Sequence, residues 1–286
     1  MEFEKFIITN ETLLRLSFFF GLFAVMALWE LIAPCRKLQV SKPLRWSSNV
    51  ALVVVNSIVI RILFPTAAVG VALFVAQRGW GLFNYLDAAP VVAIILSVVL
   101  LDLAIWMQHV AVHYIPLLWR LHRVHHADLD FDVTTGARFH PLEIIFSMLV
   151  KFAVIILLGP PAVAVVIFEI ILNATSMFNH SNVQLPARLD KIVRWFMVTP
   201  DMHRVHHSII RAETNSNFGF NLPWWDRLFG TYRAQPQAGH LGMQIGIPEF
   251  SDPKWCSKLP GMLWIPFISS REITDNRGHQ HVVQEK

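Results

Sequence analysis

The same five residues, His-Arg-Val-His-His, occur twice in the chain, at 122–126 and at 203–207. Each copy sets three imidazoles at i, i+3 and i+4, a spacing that an α-helix turns onto one face. Just upstream of the first copy stand His109 and His113, an i, i+4 pair that shares a helical face in the same way. A single histidine is most simply a polar side chain at an interface. Three clusters at helical spacing are not explained that way, and they predict a metal site.

Composition decides what surrounds such a site. Apolar residues make up 54 % of the 286 and charged residues only 15 %, well below the ~25 % of soluble domains. The chain therefore reads as an integral membrane protein. Its formal net charge of +4 is spread without a run of Lys or Arg, which excludes a nucleic-acid-binding surface. Cys35 and Cys256 are isolated in the sequence, so a disulfide framework and a Cys-x-x-Cys site are excluded and a metal must be held by nitrogen or oxygen. The start carries Glu2, Glu4 and Lys5, unlike the basic opening of a cleavable signal peptide.

Apolar runs set the expected topology. The first, 13–32, ends at Ala33-Pro34 and is close to the ~20 residues a crossing needs. Arg36, Lys37, Lys42 and Arg45 follow it. A second run, 50–75, is interrupted by Arg61 and Pro65 and is expected to tilt or kink. The loop at 77–87 carries one basic residue, so the first loop is expected to be cytoplasmic and the second external. A third run, 90–106, returns inward and delivers His109 and His113. Asp102 on this run is an intramembrane acid that needs a partner; it is read as supporting a ligand or facing a cavity, with a structural ion pair as the alternative.

Residues 142–178 are mostly apolar but too long for one crossing, and Gly159-Pro160-Pro161 breaks them in the middle. One crossing would put the two pentads on opposite sides of the membrane. Two crossings joined at Gly-Pro-Pro bring the chain back, each arm short enough to be only partly embedded. The ends of this hairpin would bring His140 and His180 to the site, raising the candidate ligands from eight to ten. Residues 189–196 form an amphipathic stretch suited to the membrane surface, or to an ordinary helix on the cap. Beyond Ala234 the chain reads as polar and irregular, and His240, His279 and His281 read as surface residues. The expected fold is all-α, with about four or more transmembrane helices including the Gly-Pro-Pro hairpin, and a helical cytoplasmic cap carrying the histidines. It divides into N-terminal helices (1–115), a di-metal region (116–233) with the hairpin, and a cytoplasmic tail (234–286), together one functional domain.

Imidazole suits zinc, iron, copper and nickel alike. Eight to ten converging rings exceed the needs of one ion, which points to two metals sharing a cavity. An all-nitrogen pair of ions at the membrane boundary fits dioxygen chemistry on a lipid C–H bond. Two readings from other classes stand beside it: a His-lined metal transporter, and a zinc-dependent lipid hydrolase with Glu143 as its base.

The His-x3-His and paired His-x2-His-His motifs do not stand alone. With them come Arg-Phe-His-Pro-Leu-Glu at 138–143, Phe-Asn-His-Ser-Asn at 178–182, Thr-Pro-Asp-Met before the second pentad, and a 217–232 stretch containing Trp-Asp-Arg-Leu-Phe-Gly-Thr. Over about 92–232 this set resembles the fatty acid hydroxylase / sterol desaturase superfamily. The resemblance implies a non-haem di-iron membrane enzyme. It would use O2 and two electrons from an external donor, cytochrome b5-like or ferredoxin-like, to hydroxylate or desaturate a lipid. It implies a bacterial inner membrane or endoplasmic reticulum, with the His clusters facing the cytoplasm. It implies His109, His113, His122, His125, His126, His203, His206 and His207 as iron ligands, completed by His180 and His140. Trp225, Asp226 and Gly230 would be structural, and Asn217 would hydrogen-bond a ligand ring, as metal-bound imidazoles require.

Overall fold

The computed structural model describes residues 2–268, and within them the regular secondary structure is helical. The chain opens with a short α1 (Glu2–Thr9) and a long α2 (Glu11–Ile32). Then come α3 (Lys42–Leu63), α4 (Ala67–Arg78), a single turn α5 (Leu82–Tyr85), α6 (Pro90–Tyr114) and α7 (Pro116–His126). A buried loop leads to α8 (Pro141–Leu158) and α9 (Ala162–Asn179), followed by the short helices α10 (Ala187–Val193), α11 (Pro200–His206), α12 (Arg211–Thr214) and α13 (Trp224–Leu228). Proline occupies the first turn of α6, α7, α8 and α11, where its missing N–H costs nothing.

Five segments are long and apolar enough to cross a membrane: Glu11–Ile32, Lys42–Tyr85, Pro90–Tyr114, Pro141–Leu158 and Ala162–Asn179. Their outer faces expose large apolar side chains such as Leu31, Ile62, Val91 and Leu157. Water would penalise that surface and hydrocarbon would not, so this is an integral membrane protein. α9 is the central element: α2, α4 and α6 pack against it, and Val163, Val165, Val166 and Phe168 are buried in the principal core.

The run at 50–75 is not one tilted helix. α3 ends at Leu63 and α4 starts at Ala67, because Pro65 offers no N–H and restricts the residue before it. α3 also stands beside the histidine-bearing layer: Asn49 bonds Thr134 at 2.9 Å and Asn56 bonds the Phe139 carbonyl at 2.8 Å. Residues 142–178 form two helices, α8 and α9, with the break at Gly159-Pro160-Pro161. Gly159 ends α8 at φ +62°, the left-handed conformation open to glycine. α4 and α6 pack against both arms, and Lys151 on α8 pairs with Glu169 on α9 at 2.7 Å.

Two ends of the molecule follow from these contacts. At one end lie the histidines, the loop after α2 and the loop between α7 and α8. At the other, Gly81 approaches Gly159 backbone to backbone. The histidine end is organised by a buried ion cluster: Arg45 on α3 makes a two-pronged contact with Asp128 at 2.8 Å and reaches Asp132 at 2.6 Å. Burial opposes the Asp128 charge, but Arg45 and Arg138 outweigh it and hold the carboxyl down at about 2. Asp130 accepts the backbone N–H groups of Gln39 and Val40, which fastens the loop after α2 to the same segment.

The chain after Ala234 is more ordered than its sequence suggests, as far as residue 268. It forms α14 (Gly239–Gly242), α15 (Pro253–Cys256) and α16 (Leu259–Trp264). Phe250, Met262 and Ile265 pack with Val124 and Ala127 of the first pentad region. His240 is buried beside Asp201, 3.6 Å away, which corrects its reading as a surface residue. His279 and His281 lie outside the described residues.

Candidate metal centre

Four elements bring the histidines together. α6 carries His109 and His113, α7 carries His122, His125 and His126, His180 follows α9 directly, and α11 with the residue after it carries His203, His206 and His207. Nine of the ten candidate rings fall into two buried groups. His109, His113, His122, His126 and His206 form one, and His125, His180, His203 and His207 the other; within each, ligand nitrogens lie within 4.8 Å of one another. The tenth is not brought in. His140 caps α8 by accepting the Leu142 N–H at 3.2 Å, and its other nitrogen faces the Leu263 carbonyl at 3.3 Å. Its place before Pro141 makes it a capping residue, a role that a side chain committed to its own backbone can fill.

The nitrogens are arranged as a metal would require. Nδ1 of His109 donates to the Phe218 carbonyl at 2.6 Å, that of His206 to the Ser216 carbonyl at 2.8 Å, and that of His180 to the Ser176 carbonyl at 2.8 Å. His122 donates its Nδ1 to Glu143 Oε1 at 2.6 Å. Each of these bonds leaves Nε2 as a bare lone pair. Yet Nε2 of His109 faces Nε2 of His122 at 3.2 Å and Nε2 of His206 at 3.0 Å. His180 Nε2 faces His203 Nε2 at 3.0 Å. Lone pairs pointed at one another repel unless a cation lies among them. Ligands bound at about 2.0–2.1 Å to one ion sit about 3.0–3.4 Å apart, and these separations fit.

The remaining rings say the same. Both nitrogens of His126 and of His207, Nε2 of His113 and Nδ1 of His125 and His203 are buried without a hydrogen-bond partner. Burial, then the crowding of neighbouring imidazoles, pushes His125, His126, His203 and His207 well below the ordinary histidine range. Burial brings His180 and His206 down to about 3. Neutral rings are the form that binds metal.

The residues expected to support the ligands do so less directly. Asp102 accepts from Trp225 Nε1 at 2.8 Å and from the Leu222 N–H at 3.3 Å; it ties the 217–232 stretch to α6 and bonds no imidazole among the described residues. Asn217 bonds the Met202 and Arg233 carbonyls at 2.9 and 2.8 Å, and the ring contacts fall to its neighbours Asn215, Ser216 and Phe218. Asp226 accepts the Phe218 and Gly219 N–H groups at 2.9 and 2.8 Å and the Trp106 indole at 3.0 Å, so it holds the carbonyl that orients His109. The Glu143 bond to His122 and the Arg45 clamp are additions to the sequence reading. Glu143 one turn after His140, and Asp at alternate positions 128, 130 and 132, were the available signals.

Residues 94–231, which contain this arrangement from His109 to Asp226, match the fatty acid hydroxylase family model. The match places this region, a little under half of the chain, in the fatty acid hydroxylase family. This fatty acid hydroxylase homologue is 32 % identical over 155 residues to ornithine lipid hydroxylase OlsE of Rhizobium tropici, covering 54 % of its own length and 45 % of that protein. It is 27 % identical over 153 residues to the alkylglycerol monooxygenase of Homo sapiens, covering 54 % of this chain and 33 % of the relative. With the cholesterol 25-hydroxylase of Rattus norvegicus it shares 22 % identity over 151 residues, covering 52 % and 49 %. The match spans less than half the length of each of these relatives. No solved structure matches the chain.

Proposed function

We propose that the chain is a membrane-bound, non-haem di-iron oxidoreductase that uses O2 and two electrons to hydroxylate or desaturate a lipid. The observation that carries this reading is the convergence of nine imidazoles in two groups, five and four, with lone pairs facing one another. A cavity of about 380 Å³ adjoins the first group at His109 and His122 and runs among α2, α3, α6, α8 and α9. The names of the relatives, hydroxylases of ornithine lipid and cholesterol and a monooxygenase of alkylglycerol, support a lipid as substrate.

Two irons held by these rings would supply the oxidising chemistry, and the chain does the rest. Phe218, Ser216, Ser176 and Glu143 fix the orientations of the His109, His206, His180 and His122 rings. Phe139 stacks on His125 with centroids 4.6 Å apart, and Phe218 and Phe220 flank His109; these apolar rings exclude water from the ligand shell. The cavity aligns a lipid carbon with the His109 and His122 end. We read α8 and α9 as a membrane hairpin, the histidine end as cytoplasmic because the basic loop after α2 joins it, and the electron donor as an external cytochrome b5-like or ferredoxin-like protein. The described chain then acts as one functional unit.

A metal transporter would spread its ligands across the membrane depth, whereas these gather at one end. A zinc hydrolase would need Glu143 as base, and that carboxylate is bonded to His122. Metal analysis of anaerobically purified protein tests the proposal: about two irons per chain are expected, and a single zinc without iron would overturn it. Lipid extracts of cells with and without the protein should then differ by one oxygen or two hydrogens in one lipid class.

A further inference from the structure

We propose that the membrane cavity takes an acidic lipid and holds its acid group, a carboxylate or a phosphate, on Lys151 and Arg15. This rests on the reading of the His109 and His122 end as the oxidising one, and names the class of lipid presented there. The cavity is lined at one end by His109 and His122 and at the other by Arg15, Lys151 and Glu169. Glu143, Ser147 and Lys151 follow one another at i, i+4 and i+8 on α8 and all line it, so they share a face. Glu143 touches His122. The charged end therefore stands about 12 Å along α8 from the histidine end.

Charges at this depth are costly and rarely kept for packing alone. A structural pair would need one cation for Glu169, and here two converge on it: Lys151 at 2.7 Å and Arg15 at 3.1 Å. The Lys151 ammonium has three N–H donors. It gives one to Glu169 and makes no other hydrogen bond among the described residues. Its side chain is 12 % exposed and that of Glu169 4 %, while that of Arg15 is 34 % exposed, so the Lys151 donors are the less hydrated part of the cluster. Glu11, one turn before Arg15, lies close enough to interact with the charges of Arg15 and Glu169 but makes no ion pair within 4 Å with Arg15 or Lys151 among the described residues. An anionic oxygen from the ligand, beside Arg15, satisfies the spare Lys151 donors. A hydrocarbon end would leave both bare. The acid group and the oxidised carbon are then separated by a fixed span of about 12 Å along α8, which places oxidation within the lipid rather than next to its acid group.

Binding is read without turnover. The iron-loaded protein, in a neutral sugar detergent, is titrated with two matched acid and neutral pairs: hexadecanoate against hexadecanol, and lysophosphatidate against monoacylglycerol. At least one acid should bind at least tenfold more tightly than its neutral partner, and the pair with the larger preference identifies carboxylate or phosphate. Lys151→Met should erase the preference and Lys151→Arg retain it. Glu169→Gln removes the competing acceptor and should tighten acid binding, which keeps the test decisive if Lys151→Met does not fold. Equal affinity within both pairs, a preference that survives Lys151→Met, or weakened or unchanged acid binding in Glu169→Gln overturns the proposal. Iron content and oxidation are followed on the same preparations. Oxidation without acid preference removes only this site, and acid preference without oxidation removes only the oxidoreductase reading.

Discussion

At the scale of single residues, the ten histidines that look alike in sequence separate by what their nitrogens touch. His126 has two buried nitrogens without partners and lies within the five-ring group. His140 has both nitrogens engaged with backbone and lies outside both groups. Replacing each by Ala therefore gives opposite results. His126→Ala should lower the iron content from about two toward about one per chain and abolish lipid oxidation. His140→Ala should leave iron content unchanged and cost about 1 kcal/mol of stability through the lost cap of α8. Iron analysis and thermal melting on the same two preparations check this; equal iron loss in both would remove the distinction. Burial and neighbouring imidazoles hold His125, His126, His203 and His207 below the ordinary histidine range, which keeps these rings in the neutral form that offers a lone pair to a metal.

At the scale of elements, helical spacing made the rings legible. The i, i+3, i+4 pattern puts imidazoles on one face whatever the rest of the chain does, and α6 and α7 present them so. The oriented carbonyls of Ser176, Ser216 and Phe218 were not legible, because a backbone oxygen leaves no mark on the residue above it. Asn217 and Asp102 were visible as polar residues in apolar company, but sequence cannot say which neighbour a side chain turns to. His140 looked like the other rings and was separated from them only by the register in which α8 begins. The Gly-Pro-Pro break was legible, and its partner was not. A Cβ on Gly81 would stand 2.2 Å from the Gly159 nitrogen, and Gly81 itself has φ +89°, so both space and conformation reserve the position for glycine. Gly81→Ala should force the loop before α6 off the end of α8, at a cost of roughly 2–4 kcal/mol. Melting of the detergent-solubilised protein should fall accordingly, while Gly79→Ala, at φ +66° with open space around its Cβ position, should fall by less. Equal losses at the two positions would show that conformation alone matters there.

At the scale of the whole molecule, the loops at the two ends differ in charge, and the difference predicts an orientation. The loop carrying Arg36 and Lys37 joins the histidine end: Arg36 donates to the Met243 carbonyl at 2.7 Å, and Asn182, two residues after His180, accepts the Arg36 N–H at 3.0 Å. The loop containing Asp87 belongs to the opposite end, where Asn84 bonds Trp80 and stands 3.4 Å from the Gly159 carbonyl. Basic loops stay on the cytoplasmic side, so the histidine end should face the cytoplasm and the Gly-Pro-Pro turn should face away. Arg211 and Asp87 are exposed residues at the two ends. In a Cys35→Ser background, with Cys256 buried, Arg211→Cys and Asp87→Cys place a thiol at each. A membrane-impermeant maleimide added to sealed vesicles of known orientation should label Asp87→Cys only from the external face and Arg211→Cys only from the cytoplasmic face. Labelling of both from one face would mean that α8 and α9 do not carry the chain across and back. With α6 crossing once, the two pentads would then lie on opposite faces, and the shared two-metal centre would fall with the topology.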